Sequence, residues 1–102
     1  MQANRVLLDA TLTERGELRY TPAGVPAIDL MLRHASRQPE ADIERVVECE
    51  LAAVAYGDQA RGLASVAPGS ALRCKGFLAR RFRTGLTLAL HVHTYELIEH
   101  QI

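Results

Sequence analysis

Five stretches of the chain alternate apolar and polar residues with a period of two, the pattern of strands buried on one face. Over residues 5–13, Val6, Leu8, Ala10 and Leu12 share one face, while Arg5, Asp9 and Thr11 take the other. Residues 28–33 set Ile28, Leu30 and Leu32 against Asp29, Met31 and Arg33. Residues 43–56 open with Ile43, Val47, Cys49 and Leu51 opposed by Glu44, Glu48 and Glu50. A fourth run, residues 72–79, alternates Leu72, Cys74, Gly76 and Leu78 with Arg73, Lys75, Phe77 and Ala79. A fifth, residues 86–93, alternates Leu86, Leu88, Leu90 and Val92 with Thr87, Ala89, His91 and His93. Only residues 58–66 have helical spacing: Asp58 can cap the segment, Ala60, Leu63, Ala64 and Val66 form a short stripe, and Pro68-Gly69 ends it.

Turn-forming residues punctuate these runs. Pro22 and Gly24 mark a corner over residues 21–24, and SRQPEAD over residues 36–42 predicts a polar, mobile loop. The short RTG over residues 83–85 is expected to join the fourth and fifth strands as a hairpin. Five strands with a short helix between the third and fourth is the order of an OB-fold, a five-stranded Greek-key barrel, so the fold class is all-β. A small antiparallel sandwich is the alternative, and the position of the helix favours the barrel. Gly76 suits the curvature that closure demands.

A length of 102 residues sets the expectation of one domain, residues 1–102, with one core. Hydrophobic residues make up 48% and charged ones 24%, which argues against disorder as the main state. No apolar run is long enough to span a bilayer, and the first residues lack the pattern of a signal peptide. Cys49 and Cys74 stand far apart with no C-x-x-C spacing, so neither a zinc ribbon nor a disulfide framework is indicated. A cytoplasmic protein with reduced thiols, no membrane association and no cofactor is the expectation.

The formal net charge is zero, with 12 basic and 12 acidic residues, but the charge is unevenly spread. From Gln59 to Tyr95 there is no Asp or Glu, while Arg61, Arg73, Lys75, Arg80, Arg81 and Arg83 all lie there. Eleven of the 12 basic residues are Arg, whose planar guanidinium pairs with phosphate and stacks on bases. The segment therefore predicts an anion-binding face.

Candidates for catalysis are poor. His91 and His93 share a strand face and could ligate a metal if His34 or Cys74 came near, but two strand histidines are more simply polar exterior residues. Glu44, Glu48 and Glu50 read as a solvated face, no phosphate-binding loop is present, and no enzyme activity is expected. Single-stranded nucleic acid asks only for positive charge along a groove and flat side chains for bases. LARRFRTG, residues 78–85, packs three arginines around Phe82 near a hairpin tip, although the parity of Phe82 would also let it point inward. Phe77, on the non-core face, is a stacking platform or an interface residue, and Tyr20 beside Arg19 is similar. Tyr56 and Tyr95 follow apolar runs and are expected to pack at the barrel ends.

These residues bring a family into view. NRVLLDATL, then LRYTPAGVPAIDLML with its [RK]-[YV]-[TS]-P-x-G turn, Cys49, and the G-S-x-L-x-x-x-G-F run at residues 69–77 resemble the bacterial single-stranded DNA-binding proteins. The resemblance covers nearly the whole chain. The long-tailed members continue into a Gly/Pro/Gln-rich tail with an acidic tip, whereas this sequence ends at His100-Gln101-Ile102 and has no Trp. With Leu32-Arg33-His34-Ala35-Ser36 as an L-x-H-x-S run, it looks like the short branch, the primosomal replication protein N (PriB) family.

That resemblance implies a homodimer of OB-folds that binds single-stranded DNA and bridges the replication-restart helicase to other primosome proteins. Family members carry stacking aromatics early in the third strand, where this chain has Ile43, Val47 and Glu48. Binding is therefore expected to be modest and salt-dependent, carried by Arg19, Tyr20, Lys75, Arg80, Arg81, Phe82 and Arg83. The competing reading is a dimeric OB-fold adaptor with weak or no DNA contact. Leu7, Met31 and Phe77, apolar but off the core face, offer surface for a two-fold pair.

Overall fold

The computed structural model describes residues 2–99, so the chain end at His100–Ile102 lies outside the described residues. Its elements are β1 (Val6–Arg15), β2 (Arg19–Tyr20), β3 (Pro26–Glu40), β4 (Ile43–Tyr56), α1 (Asp58–Leu63), β5 (Ala71–Arg80) and β6 (Leu88–Ile98). The five long strands follow the five alternating runs, β4 with the same bounds and the others with shifted ends, and β2 is a two-residue addition that pairs with the start of β3.

Strands run in the order β1-β5-β6-β4-β3, and β1 also pairs with β3, which closes the sheet. Neighbours are antiparallel except β4 and β6, which meet in parallel over Ala52–Ala89 to Val54–His91. Closure needs sharp local bends, and bulges supply them. One falls between Leu12 and Glu14 in β1. The other lies at Lys75/Gly76, where β6 carries one extra residue, His93. This closed five-stranded barrel with one short helix is an OB-fold.

The inward faces build the core predicted from the alternation. Leu12, Ile28, Leu32, Leu63, Leu72, Cys74 and Leu90 are fully buried, and no described polar or charged side chain is buried with them. Helix α1 plugs one end of the barrel through Ala60 and Leu63. It is shorter than the expected residues 58–66, and Asp58 does not cap it. Gly57, at φ 71, occupies the cap without a side-chain bond, and Asp58 instead binds Arg61 from the first turn at 2.9 Å. Burial raises the Cys74 thiol to about 11. Among the described residues no helix is long and apolar enough to cross a membrane.

The largest departure is SRQPEAD. In place of a loop, β3 and β4 stay paired out to Glu40 and Ile43 and form a long hairpin arm. Ala41 and Asp42, at φ 52 and 63, make a two-residue turn with both centres left-handed, the geometry that matches strand twist. Pro39 pairs with Glu44, one step from the turn, where alternation leaves its position without a ladder bond to give up. Arg45–Glu40 at 2.8 Å, Arg37–Glu44 at 3.6 Å and Arg33–Glu48 at 3.7 Å span the arm. Both its faces meet solvent, so the segment carries no apolar alternation.

Candidate nucleic-acid interface

The turn at residues 21–25 fixes the start of the site. Gly24, at φ 82, lets the chain reverse while Thr21 exchanges bonds with Val25, including Val25 N–H to Thr21 Oγ1 at 3.1 Å. This pairs Arg19 with Ala27 and Tyr20 with Pro26. Tyr20 is exposed. The Arg19 guanidinium reaches back to Asp29, donating to both carboxylate oxygens at 3.2 and 3.3 Å. That contact, first as a hydrogen bond and then as a charge, raises the Arg19 pKa, and Tyr56 adds to it.

The basic segment divides once its partners are known. Arg61 is held by Asp58, and Arg73 binds Asp9 through two hydrogen bonds at 2.7 and 2.9 Å with Glu96 at 3.8 Å. The Arg73 bonds hold the Asp9 carboxyl below the usual carboxylate range. Among the described residues, Lys75, Arg80, Arg81 and Arg83 have no carboxylate within ion-pair distance. Uncompensated positive charge thus gathers at the end of β5 and in the loop after it.

Arg80 and Arg81 converge with Arg19 on one cleft of about 180 Å³, whose wall includes Asp29, Tyr56 and His91. Beside it runs a row of rings on the outer face of the barrel. Pairing sets Phe77 of β5 opposite His91 of β6, with β4 on the far side. The Phe77 and His91 rings stack at 4.8 Å and 16°, and Tyr56 lies 6.0 Å from His91 at 28°. Gly76 makes the row possible, since a Cβ there would meet the His91 carbonyl oxygen at 1.8 Å. Tyr56 is 44% exposed and Phe77 41%, so the ends of the row present ring surface to solvent.

The expected hairpin turn over residues 83–85 is a longer loop, residues 81–87, closed by Arg81 N–H to Thr87 C=O at 2.8 Å. Leu86, placed in the fifth strand by its parity, belongs to this loop and is 95% exposed. Phe82 also leaves the strand alternation: it is exposed, with the Arg81 guanidinium 5.1 Å above its ring. Arg83 is exposed in the same loop. Lys75 lies apart from the cleft, in a groove with Leu7, Asp9, His34 and Arg73.

Two members of this site escaped the sequence reading, Tyr56 and His91. Tyr56 was expected to pack at a barrel end, as Tyr95 does against the core. Its even parity, shared with Glu44, Glu48 and Glu50, already marks the outer face. Ile43 and Glu48 are exposed on the arm and Val47 is partly covered there, so the third strand's aromatic stands at its end, not its start. Among the described residues no three His, Cys, Asp or Glu side chains gather as a metal site.

Residues 4–94 match a family model described as "Another single-strand binding protein family". The chain is 36% identical over 95 residues to the replication restart protein PriB of Nitrosomonas europaea, covering 93% of this chain and 88% of that one. Its structure superposes on that of PriB from Ralstonia solanacearum with a TM-score of 0.89 at 40% identity, over 96% of this chain and 100% of that one. It also resembles the single-stranded DNA binding protein from Thermus aquaticus, with a TM-score of 0.75 at 26% identity, over 95% of this chain and 50% of that one.

Proposed function

The chain belongs to the single-strand binding protein family and, within it, to the PriB replication restart proteins, and on that premise we propose that it binds single-stranded DNA as a cytoplasmic, non-enzymatic accessory of the replication-restart primosome. One observation carries the reading: Arg19 and the Arg80-Arg81 pair, from two distant parts of the chain, meet in one cleft beside a row of rings with exposed ends. Phosphates lie against Arg19, Arg80 and Arg81. Bases stack on Tyr56, Phe77 and Phe82, since every base has a face to offer. Tyr20 and Arg83 border this path next to Arg19 and Arg81. Lys75, two residues from Phe77 on the same strand face, meets a strand that continues along β5. The carboxylates of the arm keep phosphate away from that side.

In this reading the chain acts as one OB-fold domain that pairs with a second copy and bridges the restart helicase to other primosome proteins. Among the described residues, residues 6–10 of β1 have a ladder partner on one side only, β5, because the β1–β3 ladder begins at Thr11. Leu7 projects there, 64% exposed. An open strand edge with an apolar side chain favours pairing with its own copy. Sedimentation should give twice the chain mass, and Leu7→Arg should return it to one.

Fluorescence anisotropy of a labelled oligothymidine, titrated at several salt concentrations, tests the DNA reading. Replacing Arg80 and Arg81 by Ala should weaken binding and flatten the slope of log K against log salt by about 1.4, at about 0.7 per single-strand phosphate contact. Unchanged affinity and slope in the double variant would sink the site. An oligonucleotide left free by the native protein at physiological salt would favour the adaptor.

A further inference from the structure

Two of the protein's four histidines sit in contrasting surroundings. His34 is fully engaged: Nδ1 donates to the Asp9 carbonyl at 2.6 Å, and Nε2 meets the Ser36 hydroxyl at 2.7 Å. His91 has neither bond. Among the described residues no protein group hydrogen-bonds its ring nitrogens, and none of its polar atoms is buried without a partner. Its ring faces are the engaged part, with Phe77 and Tyr56 stacked nearly parallel on either side. Side chains stand upright on a sheet, so the imidazole held between these rings turns its N–H edge outward. His91 lines both the arginine cleft and the groove on the other side of the row.

We propose that His91 is itself a DNA contact whose protonation sets affinity: the imidazolium gives a phosphate in the arginine cleft a charge-assisted hydrogen bond, whereas the neutral ring offers one N–H without the charge. The inference rests on the DNA-binding reading above. Histidine is the one ordinary side chain that gains a charge between about pH 5 and 8. Flanking rings tolerate the charge, because a cation over an aromatic face is attracted to it. The groups facing His91 are few. Arg19, Arg80 and Arg81 line the cleft with Asp29 from β3 and Tyr56 from β4, while Asp58 from α1 and His93 from β6 line the other side. Asp29 and Asp58 are already held by Arg19 and Arg61. An arriving phosphate is therefore the anion that favours the proton, and by linkage the proton favours the phosphate.

The test is oligothymidine binding at about pH 5.5, 6.5, 7.5 and 8.5, because thymine does not titrate over this range. Affinity should rise several-fold as pH falls, with a salt slope steeper by about 0.7 at the acid end, one phosphate contact more. His91→Phe, which keeps a ring in the row, and His91→Gln, which keeps a donor without the charge, should both bind with a flat pH profile. His93→Gln should keep the native profile. Native binding that ignores pH, or a His91→Phe profile that still rises, would overturn the inference while leaving the DNA-binding reading intact. No binding at any pH would overturn both.

Discussion

Replacing Gly76 by Ala tests whether backbone approach between β5 and β6 builds the site. Alanine ordinarily improves a strand over glycine by roughly 0.5–1 kcal/mol. Here its Cβ would lie 1.8 Å from the His91 carbonyl oxygen, 2.9 Å from the carbonyl carbon and 3.2 Å from the His93 nitrogen. All three are backbone atoms, so no rotamer change relieves the contact. Comfortable separation is about 3.5 Å, and β6 must therefore withdraw by roughly 1.5 Å across a closed barrel. Overpacking costs about 1–3 kcal/mol, and a clash with backbone falls in the upper half, about 2–3 kcal/mol, so after the strand gain the net loss is about 1–2.5 kcal/mol. At about 4–8 °C per kcal/mol, the unfolding midpoint should fall by roughly 4–20 °C. The shift also carries the His91 ring away from Phe77, so oligothymidine affinity should drop in the folded variant. Thermal unfolding followed by circular dichroism reads the first effect and anisotropy the second. A Gly76→Ala protein as stable as the native chain, or more so, would refute the close-approach account.

Other expectations follow from particular contacts. Asp29→Asn releases Arg19 from its exposed partner, and since such pairs contribute at most about 1 kcal/mol, oligothymidine affinity should rise by up to about fivefold in an anisotropy titration. Ala41→Asn with Asp42→Gly supplies the residues a left-handed two-residue turn prefers, and should raise stability by about 0.5–1 kcal/mol in urea denaturation. Cys74 has a folded pKa of about 11 against an ordinary value of 9.0. A raised thiol pKa means stability is full below the ordinary value and lost as pH climbs toward the folded one. Urea midpoints should therefore decline between about pH 9 and 11, less steeply in Cys74→Val.

The barrel was legible because its strands face two environments. Wherever Leu, Ile or Val must point inward and charge outward, a period of two is forced on the sequence, and all five long strands carried it. The outer half of the arm escaped because SRQPEAD, residues 36–42, meets solvent on both faces, so nothing imposes alternation on it. Its turn, Ala41-Asp42, also lacks the usual Asn-Gly signature. The basic segment was legible as charge, yet which arginines stay available was not. Arg73 is neutralised by Asp9, 64 residues away, through a pairing only the folded sheet creates. The Tyr56–His91–Phe77 row depends on one parallel contact and one bulge, both products of closure. Even so, the parity of Tyr56 was visible along its strand, and it pointed to the outer face.

Ultraviolet cross-linking of a bound oligothymidine, followed by peptide mass spectrometry, tests the central claim most directly. Adducts should fall on Tyr56, Phe77, His91 and the residues 80–83 loop, and should be suppressed at high salt along with binding. Adducts confined to the arm, residues 36–50, or to the β1 edge around Leu7, would contradict it.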